Sequence, residues 1–143
     1  MFRVIYESEV KSGLGPLEIS QLVANASAHN SQNNISSFLM RVNGSFLQVL
    51  EGSPREVSNL VDRIWEDPRH TNMQILASTH DNDSNRHSHN HPLTYIDLRQ
   101  IEDYDEELFP HVYNSWQSMR LQSSAVDEFL SRHEEELNKL NQD

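Results

Sequence analysis

Three polar side chains stand where their neighbours read as core, and they are the ones whose chemistry could combine. Tyr6 follows the run Phe2-Arg3-Val4-Ile5, Asn30 ends an amphipathic stretch, and Gln48 interrupts Phe46-Leu47-Gln48-Val49-Leu50. A phenol can give up an electron and a proton, and a carboxamide offers two donors and two acceptor lone pairs. A glutamine buried without partners costs about 1–3 kcal/mol, so Gln48 demands groups to bond. Taken singly, each residue also has a plainer role: a solvent-facing glutamine, a half-buried aromatic, a helix C-terminal asparagine.

Other chemistries find no support. Gly13-Leu14-Gly15 begins a GxG, but Glu18 falls where the third glycine of a dinucleotide loop belongs, and no glycine precedes Lys-Ser or Lys-Thr. Neither a Rossmann fingerprint nor a P-loop exists. There is no GxSxG elbow for a serine nucleophile. Without cysteine there is no disulfide, zinc-thiolate site or thiol nucleophile, and redox chemistry needs a borrowed cofactor. His87, His89 and His91 alternate as on one face of an extended strand and could converge on a divalent metal. An exposed polar loop is the simpler reading, and no metal site is expected. With 22 acidic against 11 basic residues, a net charge of -11 and no basic cluster, nucleic acid is not an expected partner. The N-terminus lacks the apolar region of a signal peptide, and no run approaches the roughly 18 apolar residues of a membrane span. A cytoplasmic protein with no membrane partner is expected.

The elements that must position the three side chains follow from periodicity. Phe2 to Ser8 favours a strand, and Ser12, Gly13, Gly15 and Pro16 form a turn after it. Pro16 opens a helix on which Ile19, Leu22, Val23 and Ala26 share a face, ending near His29. Ile35–Val42 and Ser45–Leu50 form a hairpin around Asn43-Gly44, a dipeptide suited to a type I′ turn. Ser53-Pro54-Arg55-Glu56 is a capping box, followed by the helical stripe Val57, Leu60, Val61, Ile64 and Trp65. Met73–Thr79 and Leu93–Leu98 read as two further strands. The order βαββαββ predicts a ferredoxin-like α+β fold, with two helices on one face of a mostly antiparallel sheet.

Beyond Arg99 the composition changes. Residues 100–143 hold 11 acids against 3 bases, which is -8 of the total -11. Phe109, Val112, Trp116 and Met119 suggest one helix; Val126, Phe129, Leu130 and Leu137 suggest a second, capped at Ser124. The expectation is a domain over 1–99 with an acidic helical hairpin over 100–143. The hairpin's apolar stripes must pack on the open sheet face or on another chain.

The chain resembles the BLUF family of blue-light-sensing flavin domains. The resemblance rests on Arg3-Val4-Ile5-Tyr6-Glu7-Ser8, His29-Asn30, Phe46-Leu47-Gln48-Val49-Leu50-Glu51-Gly52 and Asp67-Pro68-Arg69-His70, in matching order and spacing. It implies a flavin between the two helices, FAD or alternatively FMN, with its ring near Tyr6, Asn30 and Gln48. Tyr6 and Gln48 would be the photoactive pair: Tyr6 supplies an electron and a proton to the excited ring, and Gln48 relays the proton and then rests in a new hydrogen-bond arrangement. His29 would help line the site, and Arg69 with His70 would lie near the phosphate-bearing tail. The implied function is a photoreceptor, not an enzyme, that signals to a downstream protein partner or through its own homo-oligomer. Two departures stand out. Asn34-Ile35-Ser36-Ser37 replaces the family's Gly-Ile-Thr-Gly, and His91 and Leu93 replace a tryptophan and a methionine near the last strand. They motivate the rival expectation of a BLUF-like interaction module that no longer binds flavin.

Overall fold

The computed structural model describes residues 1–80, 92–97, 117, 120 and 123–137. Strand β1 (Phe2–Val10) is followed by helix α1 (Pro16–Gln32), the hairpin β2 (Ser36–Val42) and β3 (Ser45–Gly52), helix α2 (Pro54–Trp65), and strands β4 (His70–His80) and β5 (Thr94–Asp97). Helices α3 (Ser124–Arg132) and α4 (Glu134–Leu137) come last. The sheet order is β4-β1-β3-β2-β5. Three pairings are antiparallel, and β5 joins β2 in parallel. This is the expected ferredoxin-like order with a fifth strand added at the β2 edge.

Local chemistry sets the element ends. Pro16 sits in the first turn of α1, where a missing N–H costs nothing. Ser53 caps α2 by accepting the Glu56 N–H at 3.3 Å, as the capping box predicts. The hairpin turn keeps its two residues, but only Asn43 has a positive φ, so it is not the type I′ turn expected from Asn-Gly. β4 begins at His70, three residues before the predicted start, because the chain leaves α2 almost directly into pairing with β1.

Side chains alternate across the sheet. Tyr6, Gln48 and Leu39 are successive Cα partners along one row, with Val4 and Leu50 partnered in a row beside it. On this face α2 packs Val57 and Leu60 against Val4, Tyr6 and Leu50, while α1 packs Ile19 against Leu39 and Phe46. Both helices therefore cover one face, as expected. The opposite face presents Ile5, Val49, Leu47 and Met40 to Val126, Phe129 and Leu130 of α3. The N-cap of α3 is Ser123, one residue before the expected Ser124, and the single predicted helix breaks at His133 into α3 and α4. The first predicted tail helix and His87, His89 and His91 lie outside the described residues.

Two irregularities mark β4. Ile5 and Tyr6 are adjacent, yet their partners are Ala77 and Ile75, so Leu76 is an extra residue and forms a bulge. A second register shift lies opposite Glu7–Glu9, near Asn72, whose φ is positive. At the far end of β1, Arg3 Nε donates to Glu51 Oε2 at 2.9 Å with both side chains fully buried.

Candidate functional site: the cleft between the two helices

Between α1 and α2, above the Tyr6–Gln48 row, lies a cleft with apolar walls from Leu22, Ala26, Leu39, Phe46, Leu60 and Ile64. All six site residues read from the sequence, Tyr6, His29, Asn30, Gln48, Arg69 and His70, line it. They are supplied by β1, α1, β3 and the turn into β4.

Tyr6 and Gln48 face each other across β1 and β3 and are both buried, at 3% and 6% exposure. The Tyr6 hydroxyl donates to Gln48 Oε1. Burial pushes the Tyr6 phenol well above its usual range, and the negative charge of Asp67 adds to the effect. The phenol is thus held neutral and ready to donate.

Asn30, 1% exposed, lies in the last turn of α1. Its Nδ2 donates to Ser37 Oγ at 3.0 Å and to the Pro92 carbonyl at 2.8 Å, and Ser37 Oγ itself donates to Pro92 O at 2.9 Å. This triangle fixes the amide plane. It also spends both amide hydrogens within the protein and leaves Oδ1 buried without a partner among the described residues. The substitutions in the 34–37 segment acquire a reason here. Asn34 adopts φ 54, a conformation usually taken by glycine, and Ser37 contributes the hydroxyl that locks Asn30.

The mouth of the cleft is charged. Asp67 Oδ1 accepts from the Arg69 backbone N–H and from Arg69 Nε, each at 2.9 Å, while Arg69 Nη2 donates to Asp67 Oδ2 at 2.6 Å. Hydrogen bonds from Arg69 hold the Asp67 carboxyl below its usual range, and Asp67 in turn raises the guanidinium. The Arg69 fork is therefore largely committed to its own turn. His70 Nε2 donates to the Ile64 carbonyl at 2.7 Å, its ring lies 6.2 Å from the Tyr6 ring, and its Nδ1 is buried without a partner. His29 Nδ1 is likewise buried and unpartnered.

Sequence reasoning missed Arg63 and Asp67 as site residues, and Leu93, singled out there as a departure from the family, joins them on the walls. Arg63 has no ion pair among the described residues. The available signal was helical spacing: Arg63 stands between Leu60 and Ile64, both on the wall. Asp67 had its own signal, since it opens the Asp-Pro-Arg turn and accepts the N–H two residues on.

Fold and cleft together define a ferredoxin-like α+β domain with a ligand slot between its helices and a tyrosine-amide pair on the slot's floor. Residues 1–91 match the family model of BLUF, sensors of blue light using FAD, and the chain belongs to that family. It is 40% identical over 71 residues to photoactivated adenylate cyclase subunit beta of Euglena gracilis, covering 50% of this chain and 8% of that protein. Among solved structures, a bacterial light-regulated adenylyl cyclase matches with a TM-score of 0.67 at 28% identity, over 84% of this chain and 35% of that one. Klebsiella pneumoniae BlrP1 with FMN and cyclic diGMP matches with a TM-score of 0.63 at 30% identity, over 69% of this chain and 26% of that one. The chain thus spans well under half the length of these relatives. Among the described residues, no helix is long and apolar enough to cross a membrane.

Proposed function

We propose that residues 1–99 bind a flavin in the interhelical cleft and report blue light through the Tyr6–Gln48 hydrogen bond. The observation that carries this reading is a buried, unsatisfied acceptor, Asn30 Oδ1, in the same apolar slot as that bond. An unmade hydrogen bond at such a site is costly, and the ring N–H of a flavin would satisfy it while the flat ring fills the apolar walls. Asn30 would orient the ring by accepting from it. His29, His70 and the Arg63–Arg69 mouth would surround the ribityl-phosphate tail, with Arg63 the cation of that mouth that has no ion pair among the described residues. FAD is the proposed cofactor, on the family's description; FMN, present in K. pneumoniae BlrP1, is the alternative.

When bound and excited, the flavin supplies a strong one-electron oxidant. Tyr6, buried and hydrogen-bonded to Gln48, would be the residue able to give up an electron and its phenolic proton, and Gln48 Oε1 would be the group able to take that proton. With the electron and proton returned to Tyr6 there would be no net oxidation, and the lasting change would be a Gln48 amide with altered hydrogen-bond partners. The protein then acts as a sensor rather than an enzyme, with 100–143 as an acidic helical extension that presents the change to a protein partner or to a second copy in the cytoplasm.

The test is the visible spectrum of purified, FAD-reconstituted protein before and after blue light. A flavin band that shifts to the red and recovers in the dark is expected. Tyr6→Phe and Gln48→Leu should each keep the flavin and lose the reversible shift. Colourless protein after reconstitution would refute flavin binding and leave the interaction module, and an unimpaired shift in Tyr6→Phe would refute the role of Tyr6.

A further inference from the structure

The bulge beside Tyr6 carries a direct connection to α3. In an unbroken ladder every second carbonyl of β4 is committed to β1. Leu76, the extra residue of the bulge, has a carbonyl that accepts a hydrogen bond from Ser123 Oγ at 2.9 Å. Ser123 is also the N-cap of α3, where the same hydroxyl oxygen accepts from the N–H groups of Ala125 at 3.1 Å and Val126 at 3.2 Å. A hydroxyl has one hydrogen and two lone pairs. All three are used, so Leu76 O cannot move relative to Ser123 without disturbing the cap.

The bulge falls between the two rungs that carry Ile5 and Tyr6. The sequence neighbours of Tyr6 also touch α3. Ile5 packs with Val126, Phe129 and Leu130, and Glu7 Oε2 accepts from Arg132 Nη2 at 3.2 Å. A displacement of Tyr6 along β1 therefore reaches α3 at its start, middle and end, and the start is the end held by a single hydroxyl. We infer that Ser123 is a positioning residue that couples the hydrogen-bond state of Tyr6 to the N-terminus of α3 through the bulged Leu76 carbonyl. This rests on the photoreceptor reading above. It gives that reading an output path on the sheet face opposite the cleft, through described residues that do not include positions 91 and 93.

The experiment is hydrogen exchange of the amides of residues 125–130 in the full chain loaded with FAD, in darkness and under blue light, with the flavin spectrum recorded in parallel. In the unaltered protein, exchange should rise about tenfold in light, the change expected when one helix cap is weakened. Ser123→Asp keeps an acceptor for the Ala125 and Val126 N–H groups but has no hydrogen to give Leu76 O. It should fold, bind flavin and shift to the red normally, while light and dark exchange at 125–130 become equal. Ser123→Thr, which keeps donor and acceptor, should restore the difference. A full light-dependent change in Ser123→Asp overturns the inference, as does a normal red shift in the unaltered protein with no change at 125–130. Absence of any red shift in the unaltered protein would instead bring down the photoreceptor reading, and this inference with it.

Discussion

The two faces of the sheet are built from alternate residues of the same strands and have opposite characters. Under α1 and α2, the Tyr6–Gln48 row is polar, a cleft remains open, and acceptors on Asn30, His29 and His70 lie buried without partners. Under α3, Ile5, Met40, Leu47 and Val49 meet Val126, Phe129 and Leu130 with no solvent exposure at all. Buried polar groups are normally satisfied, so three unsatisfied ones in one cleft mark the face kept for a ligand. The other face is the one that holds the fold together. One strand can serve both purposes because its side-chain period is two: Ile5 belongs to stability and Tyr6 to chemistry, one residue apart.

That division is open to direct attack. The largest effect should come from Phe129→Ala, which empties part of the dry face and should cost about 3–5 kcal/mol in chemical denaturation. The dark flavin band of the protein that stays folded should keep its position, because the cleft lining is left intact; a displaced dark band would mean that the dry face also shapes the cleft. Next, Asn30→Ala removes the unsatisfied amide acceptor of the cleft lining and should weaken flavin binding by about 10- to 100-fold in a fluorescence titration, the range implied by a lost buried hydrogen bond. Its effect on stability without flavin should be much smaller than that of Phe129→Ala. Ser37→Gly returns the family's glycine and removes the Ser37 hydroxyl to which Asn30 Nδ2 donates. The expected loss of flavin affinity is only a few-fold, about 1 kcal/mol or less, because Nδ2 keeps its bond to Pro92 O.

The smallest effect is a silence. Burial and Asp67 keep the proton on Tyr6 beyond the ordinary value of 10.0. Below that pH the phenol is neutral in folded and unfolded chains alike. Above it the unfolded chain loses the proton first, so Tyr6 makes the folded state progressively less stable as alkaline pH rises. Tyrosinate absorbance should therefore follow the same curve in the unaltered protein and in Tyr6→Phe until the protein unfolds. An extra tyrosine titrating near 10 in the unaltered folded protein would contradict the buried, neutral phenol.

Most of the clefted half was legible in the sequence because its signals are local. The capping box at Ser53, the proline at the start of α1, the turn at Asn43-Gly44 and the polar interruptions at Tyr6 and Gln48 each act within a few residues. What escaped depends on register and on distant partners. Nothing local to His70-Thr71-Asn72-Met73 or to Leu76 announces a bulge, because a bulge is defined by the residues opposite. Arg63 reads as an ordinary exposed helix residue until α1 is placed across from it. Ser123 and Ser124 are equally good caps in isolation; the Leu76 carbonyl, 47 residues earlier in the chain, accepts from Ser123. Ser37 looked like a lost glycine and is instead a hydroxyl in use.

The ion pair between Arg3 and Glu51 joins the same two strands as Tyr6 and Gln48, three rungs away. Were β1 to slip against β3, this ion pair would be broken in the sheet interior, and breaking a buried pair costs about 3–5 kcal/mol. A misaligned chain would thus be penalised in proportion to charge rather than shape. The alignment that closes the pair is the one that sets the phenol of Tyr6 against the amide of Gln48.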